Sequence, residues 1–135
     1  MKVSNMKKTI PFLVVLALCT ACTNDAKKER WEKIFEKKEG RIYYGDTESL
    51  DRKTNKGWIR IDAQKDPIER NGKKVIDSMN LTEADCKQKQ IKIIYLIDRY
   101  NDGKKEEFEN KENSKFYAEP ETAGEAALNW LCKNK

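Results

Sequence analysis

The sequence has no histidine among its 135 residues. That absence removes His-based catalytic triads and imidazole metal ligands, and leaves any acid–base work to carboxylates, lysines or cysteines. Glycine is scarce, at six residues, and no Gly-rich phosphate loop is present. No activated nucleophile or pair of catalytic carboxylates stands out, so the reading is a non-enzyme without a cofactor or metal. Long hydrophobic runs are missing too. The one unbroken apolar stretch, Ile10 to Leu18, is shorter than the roughly 20 residues a bilayer-spanning helix needs. Charge of a single sign is also lacking, with 28 basic against 23 acidic side chains. Such a mixed surface does not make the clustered basic stripe of a nucleic-acid binder.

What the first residues do contain is an export pattern. Lys2, Lys7 and Lys8 precede the short apolar run, and small residues follow it, as in a bacterial signal peptide. Removing residues 1–21 takes three lysines with it, and the formal charge falls from +5 to +2. The cysteines divide into Cys19 and Cys22 at this boundary and Cys86 and Cys132 in the body. Thr20 and Ala21 before Cys22 suit lipoprotein processing, with Cys22 as the lipid acceptor and membrane anchor. Cys19 is the poorer acceptor because bulky Leu18 precedes it, although it occupies the place where Leu is usual. Cleavage after Ala21 by ordinary signal peptidase is the competing reading, and it leaves Cys22 a free thiol. Export to an oxidising compartment favours a disulfide, and with Cys22 lipidated only Cys86–Cys132 remains. The expected organisation is a signal peptide over 1–21, a polar tether over 22–30 and one domain over 31–135.

Within the domain, Trp31 to Phe35 fits either a helix face or a strand edge. Segments 41–46 and 56–63 read as strands. In the second, Trp58, Arg60 and Asp62 alternate with Ile59, Ile61 and Ala63. Segment 73–81 is a third strand, preceded by a loop at Pro67, Asn71 and Gly72. Segment 86–100 is the longest, with Ile91, Ile93, Tyr95 and Ile97 on one side and Ile94, Leu96 and Tyr100 on the other. A strand apolar on both sides is expected at the centre of its sheet. Asn101-Asp102-Gly103 then turns a hairpin into a charged edge strand, Lys105 to Glu109. After Pro120, Thr122 and Glu125 make a capping box for a helix whose stripe is Ala127, Leu128 and Leu131, with Cys132 on the same buried side. The expected class is α+β: an antiparallel sheet with a C-terminal helix packed on one face and tied to it by a disulfide.

Three constellations bear on function. Asp98-x-Tyr100-x-Asp102-Gly103 with Glu109 outlines a calcium loop, but Tyr100 stands at a ligand position and the flanks are strands rather than helices. A hairpin turn accounts for the same residues. Lys87, Lys89, Lys92, Arg99, Lys104 and Lys105 make the central hairpin the most basic part of the body. They form either a docking surface for acidic protein segments or a polyanionic glycan, or a solvated face balanced by Glu106, Glu107 and Glu109. Trp58 and Trp130 are either exposed anchors or packed core.

Trp31, YYGDTESLDR (43–52), GWIRID (57–62), EADCKQKQIKIIYLIDRYNDGK (83–104) and AEPETAGEAALNWLC (118–132) fall in an order that resembles bacterial surface-adhesin E domains. The resemblance implies a Gram-negative lipoprotein of the outer membrane, with Cys86 and Cys132 at the bridged positions. It further implies host extracellular-matrix and serum proteins such as laminin and vitronectin as partners, and a capacity to dimerise. The alternative reading is a periplasmic lipoprotein that inhibits or assists another envelope protein.

Overall fold

The computed structural model describes residues 29–133; Cys22, the signal segment and most of the tether lie outside them. The alternation in the second strand segment decides the architecture. In β3 (Lys56–Asp62), Gly57, Ile59 and Ile61 are buried, while Trp58, Arg60 and Asp62 are only half-buried. One side of this strand therefore meets the rest of the protein and the other does not. The remaining elements are β1 (Trp31–Glu36), β2 (Ile42–Asp46), β4 (Ile68–Arg70), β5 (Lys73–Asp85), β6 (Gln90–Tyr100), β7 (Lys105–Glu109), β8 (Phe116–Tyr117) and α1 (Ala123–Cys132). They form an eight-stranded antiparallel sheet, ordered β1-β2-β3-β5-β6-β7, with one helix among the described residues. β4 continues the edge of β5 beyond β3, and β8 pairs with β6 at Gln90 and Ile91, beyond β7. The α+β class and its antiparallel sheet are as the sequence led us to expect.

Helix α1 covers the buried side. Ala127, Leu128, Trp130 and Leu131 pack with Ile59, Ala84 and Ile91 into the main core. Full burial of each large apolar side chain contributes about 2 kcal/mol. The indole of Trp130 lies flat over Gly45 and Gly57, where a β-carbon would come within 2.3 Å and 3.1 Å of the ring. Glycine is thus required on β2 by the helix, not by the strand. Thr122 caps the helix, accepting from Glu125 N at 3.3 Å, while the Glu125 carboxylate accepts from Glu121 N at 2.8 Å. At the other end Arg52 donates to the carbonyls of Trp130 and Lys133 at 3.2 Å and 2.9 Å. A cation there also meets the negative end of the helix dipole. The Cys86–Cys132 disulfide, with Cα atoms 5.9 Å apart, ties the last turn of α1 to the sheet.

Three sequence readings are altered, and one left open is settled. The Trp31 segment is a strand, paired with β2 from Trp31↔Asp46 to Glu36↔Ile42. The loop at Pro67–Gly72 holds a strand, β4, closed by a two-residue turn in which Asn71 and Gly72 both have positive φ (52° and 74°). That is the backbone an Asn-Gly hairpin requires. The long strand starts at Gln90 rather than Cys86, because Cys86 to Lys89 form the β5–β6 turn and Lys89 takes φ 53°. The disulfide therefore reaches a turn instead of a strand. Lastly, β6 contains a bulge: Thr82 pairs with Ile93 and Leu81 with Tyr95, skipping Ile94. One extra residue transfers every later side chain to the opposite face. Ile91 and Ile93 therefore point to the helix side, while Tyr95 and Ile97 point away from it.

Candidate binding surface

No helix packs on the face opposite α1 among the described residues. The ladder registers assemble that face in rows. Trp58, Leu81 and Tyr95 are directly opposite one another across β3, β5 and β6, and the next row is Arg60, Met79 and Ile97. Tyr44 on β2 extends the second row beside Arg60. Trp58 and Tyr95 meet edge to face with centroids 6.3 Å apart, a geometry favoured by the ring quadrupoles. All of these apolar side chains are half-buried, with no helix packed over them among the described residues. The two-sided apolar pattern of β6 thus reflects one core face and one open face. An apolar, aromatic patch of this kind, rimmed by charge, is the ordinary mark of an interaction site.

Fixed ion pairs border the patch. Arg60 grips Asp77 through two hydrogen bonds of 3.1 Å and 2.9 Å, and this bonding raises the guanidinium pKa against the opposing effect of burial. Tyr95 donates its hydroxyl to Glu107, which raises the phenol pKa. Glu107 is lowered first by its bond to Lys105 and then by Tyr95. These pairs orient the rim side chains and hold Tyr95 upright.

The six basic residues singled out in the sequence do not form one patch. Lys87 and Lys89 sit in the β5–β6 turn and Lys104 in the β6–β7 turn, at opposite ends of β6. Eleven residues of strand separate those turns by about 33 Å at the usual rise. Arg99 and Lys105 face each other across the ladder on the open side, with Lys105 held by Glu107 at 2.8 Å. Lys92 lies on the open side near the first turn, 3.5 Å from Glu83 and 3.4 Å from Asn113 Oδ1. Around Lys87 and Lys92 the chain leaves a depression of about 610 Å³, also lined by Asn55, Glu83, Asp85 and Lys115. It continues directly from the aromatic row, since Lys56, Glu83 and Lys92 form the next row after Trp58, Leu81 and Tyr95.

The calcium-loop residues are employed otherwise. Asp98 is fully buried on the helix side, accepting from Ser78 Oγ at 2.7 Å, and its second oxygen meets Arg70 as a charge pair without an aligned hydrogen bond. Asp102 accepts from Lys104 N at 2.9 Å. Among the described residues no group of three or more metal-ligating side chains converges. Of the two tryptophans, Trp130 is core and Trp58 belongs to the open face. Leu81, Met79, Tyr95 and Lys115 were missed in the sequence. Alternation shows which residues share a face, but only the glycines beneath Trp130 reveal which face the helix takes.

The family model described as surface-adhesin protein E matches residues 31–133. The chain has no match among curated proteins and none among solved structures.

Proposed function

From the premise that this chain belongs to the surface-adhesin protein E family, we propose that it is a lipid-anchored adhesin of the outer membrane that grips host matrix or serum proteins with its open sheet face. Membership makes it a surface-associated binding protein by family; the finer reading adds the anchor, the membrane and the ligand. The anchor is a lipid on Cys22, and residues 22–30 act as a tether that holds the domain off the membrane. Proteins of the laminin and vitronectin kind are the partners that the family resemblance implies. The observation that carries the reading is the uncovered row of Trp58, Leu81 and Tyr95 with Met79 and Ile97 beside it. Aromatic anchors at the centre of a face rimmed by polar groups are where binding energy concentrates.

Antibody labelling of intact cells, combined with binding of the purified protein to immobilised laminin and vitronectin, tests this. We expect labelling without permeabilisation and saturable binding. Labelling that appears only in permeabilised cells defeats the surface reading and returns the protein to a periplasmic role.

A further inference from the structure

We propose that the depression at the β5–β6 turn, together with Trp58 and Tyr95 beside it, binds an acidic oligosaccharide bearing carboxylate or sulfate groups. The inference rests on the adhesin reading and names the chemistry that the surface recognises. Charge is the first support. Lys87, Lys92 and Lys115 line the depression against Glu83 and Asp85. Glu83 is already neutralised twice, by Lys56 at 3.4 Å and Lys92 at 3.5 Å. Lys115 reaches Asp85 only at 3.9 Å, and among the described residues no carboxylate comes within 4 Å of Lys87. Lys87 is therefore left unpaired for an anion, with the loosely held Lys115 beside it.

The second support is the set of acceptors in the lining, where Gln90 and the carboxylates of Glu83 and Asp85 can receive sugar hydroxyls. The third support is the aromatic row next to the depression. The slightly positive C–H face of a sugar ring packs on the negative face of an aromatic ring, and Trp58 stands one row from Lys92.

An acidic peptide fits less well. Lying on this face it brings backbone N–H and C=O groups that need partners. The ladder groups of β3, β5 and β6 are already paired with one another, so a peptide gains no strand pairing here. The volume of about 610 Å³ lies within the range of small-ligand clefts.

Titration calorimetry of the purified full-length protein with a heparin-derived hexasaccharide tests the inference, with neutral chitohexaose and hexaglutamate as the other ligands. We expect the sulfated hexasaccharide to bind and the other two to bind at least about tenfold more weakly, the worth of one charge-assisted hydrogen bond. The double variant K87E/K115E should lose saccharide binding by about tenfold or more on the same scale. The variant K74E/K104E, two exposed lysines at the far end of the sheet, should keep it. Equal binding of hexaglutamate, equal loss in the two double variants, or no saccharide binding overturns the proposal. The same proteins are applied to immobilised laminin. For the wild-type protein, laminin binding without saccharide binding overturns this inference alone, whereas absence of both overturns the adhesin reading with it.

Discussion

Placing a single methyl group on Gly45 should destabilise the domain more than any comparable change to an exposed strand position. The β-carbon of Gly45→Ala would stand 2.3 Å from Cε2 and 2.4 Å from Cζ2 of Trp130, far inside contact distance. The indole cannot swing away, because its other neighbours are Gly57 and the core, and its Nε1 donates to Glu32 at 3.2 Å. Relief requires the helix to lift from the sheet, and the disulfide at Cys132 restrains that movement. We therefore expect a cost of about 3 kcal/mol, the upper part of the overpacking range, seen as a fall of roughly 15 °C in Tm for a domain of this size. Gly57→Ala, whose β-carbon would lie 3.1 Å and 3.3 Å from the ring, should cost about 1 kcal/mol. Urea denaturation of the oxidised protein measures both. In a Trp130→Ala background, itself destabilised by about 3–5 kcal/mol, adding Gly45→Ala should cost little, because the clash is gone. A Gly45→Ala protein within about 0.5 kcal/mol of wild type, the size of an ordinary surface substitution, would refute the packing described. So would additivity of the two substitutions.

Removing the disulfide by Cys86→Ser with Cys132→Ser should cost about 4 kcal/mol on the chain-entropy model for a separation of 46 residues, with helical signal lost first in a circular dichroism melt. Asp46 is fully buried under Arg30 by side-chain exposure, and its carboxyl pKa is held below the ordinary 3.8, chiefly by the hydrogen bond from Arg30. A depressed carboxyl stabilises the fold above its unfolded value and loses that contribution as pH falls below about 4. An Arg30→Ala protein should be slightly less stable at pH 7, since the arginine is half-exposed and solvent screens the pair, and its stability should fall less steeply in acid. Tyr100 is pushed up to about 12, first by its hydrogen bond to Glu106 and then by burial. Spectrophotometric titration should show this late-ionising tyrosine, and Glu106→Gln should bring it down. Arg52→Ala should cost about 1 kcal/mol by uncapping α1, checked by thermal melts.

Much of the fold was legible because its strongest signals are local. The alternation around Ile59, the apolar run of β6 and the capping residues Thr122 and Glu125 each follow from neighbours in sequence. Features that depend on distant partners were not. A three-residue strand such as β4 carries little pattern, and it exists because β5 supplies its hydrogen bonds. The bulge at Ile94 has no glycine to announce it, so the period-two assignment of Tyr95 and Ile97 landed on the wrong face relative to Ile91. The basic residues were visible as a run, but a long antiparallel strand pulls the two halves of such a run to opposite ends of the sheet. The open face needed the sequence clue and the tertiary one together. Alternation grouped its residues, and the contact of Trp130 with Gly45 and Gly57 left them uncovered.

The most direct test of the binding role is adhesion of cells displaying the protein with Leu81→Glu, a change at the centre of the open face and away from the helix core. Attachment to laminin- and vitronectin-coated surfaces is compared with wild type, with thermal melts of the purified proteins alongside. The expected result is loss of attachment by a protein whose Tm falls by only about 5 °C, the cost of about 1 kcal/mol for a half-buried leucine with no helix over it. Undiminished attachment by the stably folded variant would contradict the assignment of this face to binding.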